Sequence, residues 1–446
     1  MNRPTSSVYL FATLDTKGRE AAYVRDLLGS WSVPVTLVDV GALGEPAVQP
    51  DIPRERMFEL AGTSLEAVRS RANRGEAVTL AAQAAAALAR EMYARGELAG
   101  VMGLGGSAGT TIATAAMKAL PLGVPKVMLS TLASGMVRQF VGDKDIFMLN
   151  AVVDILGINR VSRQVLSLAA RGMAGLVQHP GPESGTDDKP LVAATMFGVT
   201  TPCIERARET LEQAGYEVLV FHATGNGGQA MESLIQDGLI AGVLDITTTE
   251  IADEIVGGFL TAGPDRLTAA GRVGVPQVVS TGAVDMVNFY APDSVPPRFK
   301  DRLLYRHNPN VTLMRTTLEE NVKIGADIAR KVANAHGPVS VLLPGRGVSA
   351  IDREGQPFND PVARRALHDT IATCLQGADV RELDLHINDP EFAEAAATRL
   401  MELMVSSQCP DFESQLGGKS TTATATNAAS RLHEEPDGRK GTTADG

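Results

Sequence analysis

The stretch ELAGVMGLGGSAGTTIATAAMKAL, residues 97–120, decides how the chain is read. It opens as a short apolar run, closes as a helical pattern of small and apolar residues, and between them places Gly103, Gly105, Gly106 and Gly109. A buried strand that turns through glycines into a helix is the unit of a parallel α/β sheet. The turn also carries chemistry. Glycines let backbone approach an anion closely, and the free amides and dipole of a helix start supply positive potential. Ser107, Thr110 and Thr111 add hydroxyl donors. The loop lacks the lysine of a GxxxxGK[ST] phosphate loop, so it is not that motif. It fits a loose GxGxxA dinucleotide pattern through Gly103, Gly105 and Ala108. That pattern normally follows the first strand, however, and here it follows the third. The next apolar run ends at Ser130 and Thr131 with no acidic residue to hold a ribose diol, which disfavours NAD. The competing reading is that the glycines only let strand and helix pack tightly.

Working outward, the chain repeats itself. VYLFATLDTKGREAAYVRDLLGSWSVPVTLVDVG, from Val8, and LVAATMFGVTTPCIERARETLEQAGYEVLVFHATG, from Leu191, share one order: apolar run, Thr-containing turn, amphipathic helix, second apolar run. The expected fold class is α/β, with two open parallel-sheet subdomains related by internal duplication and helices on both faces. Strands are expected near 8–13, 35–40, 99–103, 125–130, 191–196, 217–222, 241–246, 276–280, 339–344 and 380–385. The expected division is 1–178, a Pro- and Gly-rich linker at 179–190, a second subdomain at 191–405, and a disordered tail at 406–446 that is poor in large apolar residues. The alanine-rich segment from Ser64 to Gly96 reads as one long helix, suited to the core or to a homodimer contact.

Open parallel sheets bind ligands at the carboxyl ends of their strands, which selects the residues to weigh. In the first half these include Thr13, Asp15 and Lys17, then the glycine loop, then Thr131, Ser134 and Gly135. Asp15 suits Mg²⁺ and Lys17 a phosphate oxygen; the plainer alternative is a helix cap and a solvated amine. In the second half they are His222, Gly227 and Gly228 of HATGNGG, Thr248 and Glu250 of ITTTE, and Arg346 of LLPGRGVSA. His307 and the run Asp384, His386, Asn388, Asp389 extend that polar set. His222, Asp245, Glu250 and His386 form a conceivable metal set without a metal-binding spacing. Cys203 follows a proline at a helix start, where a small buried residue is expected over a reactive thiolate.

The 446 residues carry a formal charge of −11, which argues against a nucleic-acid binder. Cys203, Cys374 and Cys409 form no disulfide framework and suit a reducing cytoplasm. No run of about 18 apolar residues occurs, so no membrane span is expected.

The ordered set TLDTKG, GLGGSAGTT, STLASG, MFGVTTPC, FHATGNGGQAME, DITTTE, STGAVDMVNF, HNPNVTLMRTT, LLPGRGVSA and HINDP is similar to one family, over about residues 6–405. This is the Tm-1-like ATP-binding family of bacterial and plant proteins. The resemblance implies two Rossmann-like subdomains and an ATP site, with Mg²⁺ accompanying the nucleotide. The family loop reads GLGGSGGT where this chain has Ala108. The resulting expectation is a cytoplasmic, homodimeric ATP-binding protein with a small anionic or polar second ligand in the inter-domain cleft. As an ATP-dependent ligase or kinase-like enzyme it would use Arg346 and His386. The alternatives are an ATP-responsive regulatory protein without turnover and an NAD-type oxidoreductase.

Overall fold

The computed structural model describes residues 6–70, 73–135, 137–181 and 188–408. The first half runs β1 (Ser7–Ala12), α1 (Leu14–Ser30), β2 (Val35–Asp39), α2 (Arg54–Leu60), α3 (Leu65–Ser70), α4 (Arg74–Ala94), β3 (Leu98–Gly105), α5 (Ser107–Lys118), β4 (Lys126–Ser130), α6 (Arg138–Val141), β5 (Phe147–Asn150) and α7 (Arg160–Gln178). Its five strands form a parallel sheet in the order β2-β1-β3-β4-β5. Strand alternation sorts the core into two faces. Val8, Leu10 and Ala12 pack on Leu14, Val24 and Leu28 of α1 and on Leu166 and Met173 of α7. Tyr9 and Phe11 face the opposite way, toward Met57 and Phe58 of α2, the alanines of α4, and Ile112 and Ala116 of α5.

The second half runs β6 (Leu191–Met196), α8 (Thr201–Gln213), β7 (Glu217–His222), α9 (Asn226–Gln236), β8 (Gly242–Thr247), α10 (Thr249–Val256), α11 (Ala269–Val273), β9 (Gln277–Gly282), β10 (Met286–Phe289), β11 (Leu304–Asn308), β12 (Val311–Arg315), α12 (Leu318–Ala333), β13 (Val339–Pro344), α13 (Pro361–Cys374), β14 (Asp379–Leu383) and α14 (Pro390–Gln408). The parallel sheet has the order β7-β6-β8-β9-β13-β14. Counted within each half, both sheets therefore follow 2-1-3-4-5, with β14 added outside β13 in the second. The shared order is what a duplicated α/β unit requires, and it gives each half one point between its first and third strands where the winding reverses.

Several expectations are corrected. The Ser64–Gly96 segment is two helices, because the Asn73 side chain accepts the amides of Gly75 at 3.0 Å and Glu76 at 3.2 Å and so starts a new helix. β5 was not expected; it is a four-residue edge strand with an exposed Phe147. β10, β12 and β11 form an antiparallel sheet in a region where no strand was expected. The tail expected from residue 406 is helical through Gln408 as the end of α14, and its remainder lies outside the described residues, as do residues 182–187 of the linker. The halves touch where Asp237, just past α9, takes Lys144 Nζ at 2.6 Å and the Leu122 amide at 3.2 Å.

Candidate functional site

At the reversal point of the first sheet, beyond the ends of β1 and β3, lies a cavity of about 320 Å³. Three elements build its polar side. The β1–α1 turn supplies Thr13, Asp15, Thr16 and Lys17; the β3–α5 turn supplies Gly106, Ser107, Ala108 and Gly109; Arg74 enters from the first turn of α4. Val40, Ala42, Leu43, Ala77, Val78 and Ile112 form an apolar wall beside them. Gly106 is the N-cap of α5, and no side chain caps that helix. The helix therefore turns its first amides and positive dipole end toward the cavity. Ala108 lies within α5 and has no positive φ, so its methyl is compatible with the turn.

The turns beside the cavity are fixed by a buried ion pair. Asp39, at the end of β2, binds Arg54 Nε at 2.6 Å through Oδ2, and its Oδ1 accepts the Leu14 amide at 3.1 Å and the Gly41 amide at 2.9 Å. Asp39 thus supplies from another strand the acceptor that Thr13 does not provide to α1. Asp15 accepts the Gly44 amide at 3.1 Å. Lys17 donates to the Ile155 carbonyl and lies 3.7 Å from Asp154, which also lines the cavity. Neither is the cap or solvated amine of the plainer reading.

Of the residues expected to hold ATP, Thr13, Asp15, Lys17, Gly106, Ser107 and Gly109 line the cavity, and Gly103, Gly105, Thr110, Thr131, Ser134 and Gly135 do not. Gly103 serves packing: a Cβ there would stand 2.3 Å from Ala113 Cβ. Thr110 is buried and paired with Ser130 Oγ at 2.7 Å. Gly106 differs, since a Cβ there would meet only Thr131 Oγ1, at 3.6 Å. Arg74 and Asp154 were not foreseen. The signal for Arg74 was Asn73, a cap residue inside an apparently continuous helix.

In the second half the polar residues are turned on each other. Glu250 Oε1 accepts the Gly225 amide at 2.6 Å and the Gly228 amide at 3.1 Å, so the HATGNGG loop already holds a carboxylate from its own chain. Glu250 Oε2 binds Arg266 Nε at 2.6 Å. Arg266 is buried, with Asp245 at 2.5 and 2.6 Å and Glu232 at 3.4 Å. Burial alone would favour losing its proton, but Asp245, Glu250 and Glu232 outweigh burial and hold the guanidinium charged. Glu250 and Gly228, expected to face a second ligand, are thus engaged with each other and with Arg266. Gly227 is likewise closed off, since a Cβ there would lie 2.0 Å from the His222 carbonyl oxygen. Thr248 is buried and donates to the Ser280 carbonyl at 2.9 Å. His222 is exposed and packs against Phe197, ring centroids 5.5 Å apart.

The two catalytic candidates do not line the cavity. Arg346 makes an exposed fork with Asp384 at 2.9 and 2.7 Å, the two side chains 61% and 83% exposed. His386 is buried, with Nε2 donating to the Ser349 carbonyl at 2.9 Å and Nδ1 accepting the Asn388 amide at 3.1 Å. Burial holds its pKa below the usual imidazole range, and this pairing needs the neutral ring. His307 is exposed on β11, and the Asp389 carboxylate accepts the His386 amide at 2.7 Å. Cys203 is buried, which pushes its thiol up to about 12, as a packing residue requires. Among the described residues no group of three His, Cys, Asp or Glu is placed to hold a metal ion, and no helix is long and apolar enough to cross a membrane.

Comparison with known proteins places both halves in one lineage. Residues 6–182 match the N-terminal domain, and residues 189–404 the C-terminal domain, of the uncharacterised protein family UPF0261. A UPF0261 protein of Clostridium tetani is 47% identical over 399 residues, covering 89% of this chain and 98% of that one. The ToMV resistance protein Tm-1(GCR237) of Solanum lycopersicum is 41% identical over 433 residues, 92% of this chain but 57% of the longer plant protein. Among solved structures, UDP-N-acetylglucosamine 2-epimerase from Rickettsia bellii matches at 8% identity over 92% of this chain and 99% of its own, with a TM-score of 0.20, too low to carry an argument. On the two domain matches and the identity to its relatives, the chain belongs to the UPF0261 family.

Proposed function

We propose that the cavity between β1 and β3 binds ATP, its phosphates at the start of α5 and its base against the wall of Val40, Leu43, Val78 and Ile112. The observation that carries this reading is the uncapped α5 N-terminus opening on a cavity that also receives Lys17 and Arg74. Helix amides, a dipole end and two cations form an anion site, and the apolar wall beside them suits a flat, weakly polar base. Mg²⁺ arriving with the nucleotide would meet Asp15 and Asp154 and would neutralise phosphate charge. Calorimetry with ATP, ADP, AMP and NAD tests the proposal: ATP should bind, NAD should not, and absence of an ATP signal on folded protein sinks it.

Between the two forms of that function, binding without turnover has the better support, because Arg346 and His386 are engaged elsewhere. One observation favours an enzyme. A second cavity of about 870 Å³ lies between α6 and α9, lined by Arg138, Asp143, Asn226 and Gln229, and gives a small polar metabolite room in the inter-domain cleft. ATP hydrolysis that depends on an added carboxylic or hydroxyl compound would establish the ligase or kinase-like form.

A further inference from the structure

The loop after β5 is tied to the cavity by α1. Ala151 and Ile155 are buried anchors, 3% and 2% exposed, and between them the chain bows outward with Val152 71% exposed. Leu156, just beyond, is 73% exposed. Val152 has φ +64°, a conformation that a β-branched residue adopts only when its surroundings impose it. Its amide donates to Asn150 Oδ1 at 3.2 Å, the Val153 amide to the Ala151 carbonyl at 2.7 Å, and the Leu156 amide to the Asp154 carbonyl at 2.9 Å. Two residues one turn apart on α1 hold this loop from outside. Lys17 Nζ donates to the Ile155 carbonyl, with Asp154 at 3.7 Å, and Glu20 Oε1 accepts the Gly157 amide at 2.5 Å. Lys17 and Asp154 also line the cavity.

We propose that residues 151–157 form a latch that a polyphosphate in the cavity opens by taking Lys17 from the Ile155 carbonyl. The inference rests on the nucleotide reading above. A phosphate oxygen is a stronger partner for an ammonium than a neutral carbonyl is, and where Mg²⁺ is withheld the same negative charge repels Asp154. Both effects act in one direction. With Lys17 withdrawn, Glu20 is the one polar tie left between α1 and the loop among the described residues, and Val152 is free to leave its imposed conformation. The exposed apolar side chains of Val152, Val153 and Leu156 change position when it does, so nucleotide occupancy is converted into a change at the protein surface.

The test is hydrogen exchange by mass spectrometry on the full chain, with and without ATP in the presence of a chelator, beside calorimetry on the same samples. Amides 152, 153, 156 and 157 should exchange roughly tenfold faster with ATP, equivalent to about 1.4 kcal/mol of lost local protection. Lys17→Met should exchange fast in this loop without any ligand. Glu20→Ala should do so in part, and Glu20→Gln, which keeps the carbonyl acceptor for Gly157, should restore the slow pattern. Binding of ATP with unchanged or slower exchange in the loop overturns the latch and leaves the nucleotide reading standing. Absence of binding overturns both.

Discussion

Glu250 fills the space that Gly228 opens: a Cβ at residue 228 would stand 2.2 Å from Glu250 Oε2 and 2.7 Å from its carboxyl carbon. The glycine exists for a carboxylate of the same chain, and an arginine without solvent access balances that carboxylate from the other side. Gly228→Ala should therefore destabilise the second half by about 1–3 kcal/mol, the cost of overpacking. Glu250→Gln keeps the shape but removes one of the charges around Arg266, and should cost about 3 kcal/mol. Denaturant titration reads both. ATP affinity should be unchanged in Gly228→Ala if the nucleotide uses the first half alone.

The first glycine loop behaves in the opposite way at Gly106. Nothing but Thr131 Oγ1 is near a Cβ at this position, and φ is −85°, which any residue adopts. Gly106→Val should cost no more than about 1 kcal/mol of stability, the effect of a poorer N-cap, while placing a branched side chain where the proposed phosphate would approach, abolishing calorimetric ATP binding. Gly103→Ala supplies the contrast. Its methyl would enter the space of Ala113 and the Met128 sulfur, at 2.3 and 2.7 Å, so it should lower stability by about 1–3 kcal/mol without touching the cavity. If Gly106→Val still binds ATP normally, the helix start is not the phosphate site.

The contrast between those loops marks how far sequence reading reaches. Both show glycines between strand and helix, and both are found at strand ends. What separates them is a contact 22 residues away in sequence, Gly228 to Glu250, which local pattern does not encode. The buried parallel strands were legible because apolar runs of five or six residues bounded by Gly and Pro have few other meanings. β5 was not, being short and half exposed. Nor were β10 and β12, whose pairing joins Met286 to Arg315 across an insertion. Arg74 was hidden because alanines on both sides of Asn73 imitate a single helix, although the cap itself was there to be read.

Stability should depend on pH through Asp253. Its carboxylate lies buried on α10, accepts the Asn288 amide at 2.9 Å and Asn288 Nδ2 at 2.6 Å, and burial nonetheless pushes its pKa up to about 7 from 3.8. The folded state keeps this proton while the unfolded chain releases it near pH 4. The stabilising contribution is thus complete below about pH 4, declines as pH rises, and is gone above about pH 7. The shift corresponds to a loss on the order of 4 kcal/mol across that window. Asp253→Asn, which has no proton to lose, should flatten the stability profile between pH 5 and 8 in urea titrations. Parallel profiles for both proteins would show that Asp253 ionises normally in the fold.

Arg74 gives the prediction in which two effects have opposite sign. It occupies the first position of α4, where a cation opposes the helix dipole, and among the described residues no hydrogen bond or ion pair engages its guanidinium. The fold gains nothing from it there. Relieving that opposition, Arg74→Ala should stabilise the protein by about 0.3–1 kcal/mol, read as a small rise in denaturant midpoint. The cavity, however, balances Lys17 and Arg74 against Asp15 and Asp154, and Lys17 is the cation already paired. A polyphosphate bound as proposed would therefore draw on Arg74 as its unpaired cation. The same variant should weaken ATP by about 1.5–3 kcal/mol, the range for hydrogen bonds to charged groups, and AMP, which lacks the outer phosphates, much less. Higher stability with a selective loss of triphosphate affinity is a combination that a general packing role does not produce. Equal losses for ATP and AMP would place Arg74 at the base or ribose instead.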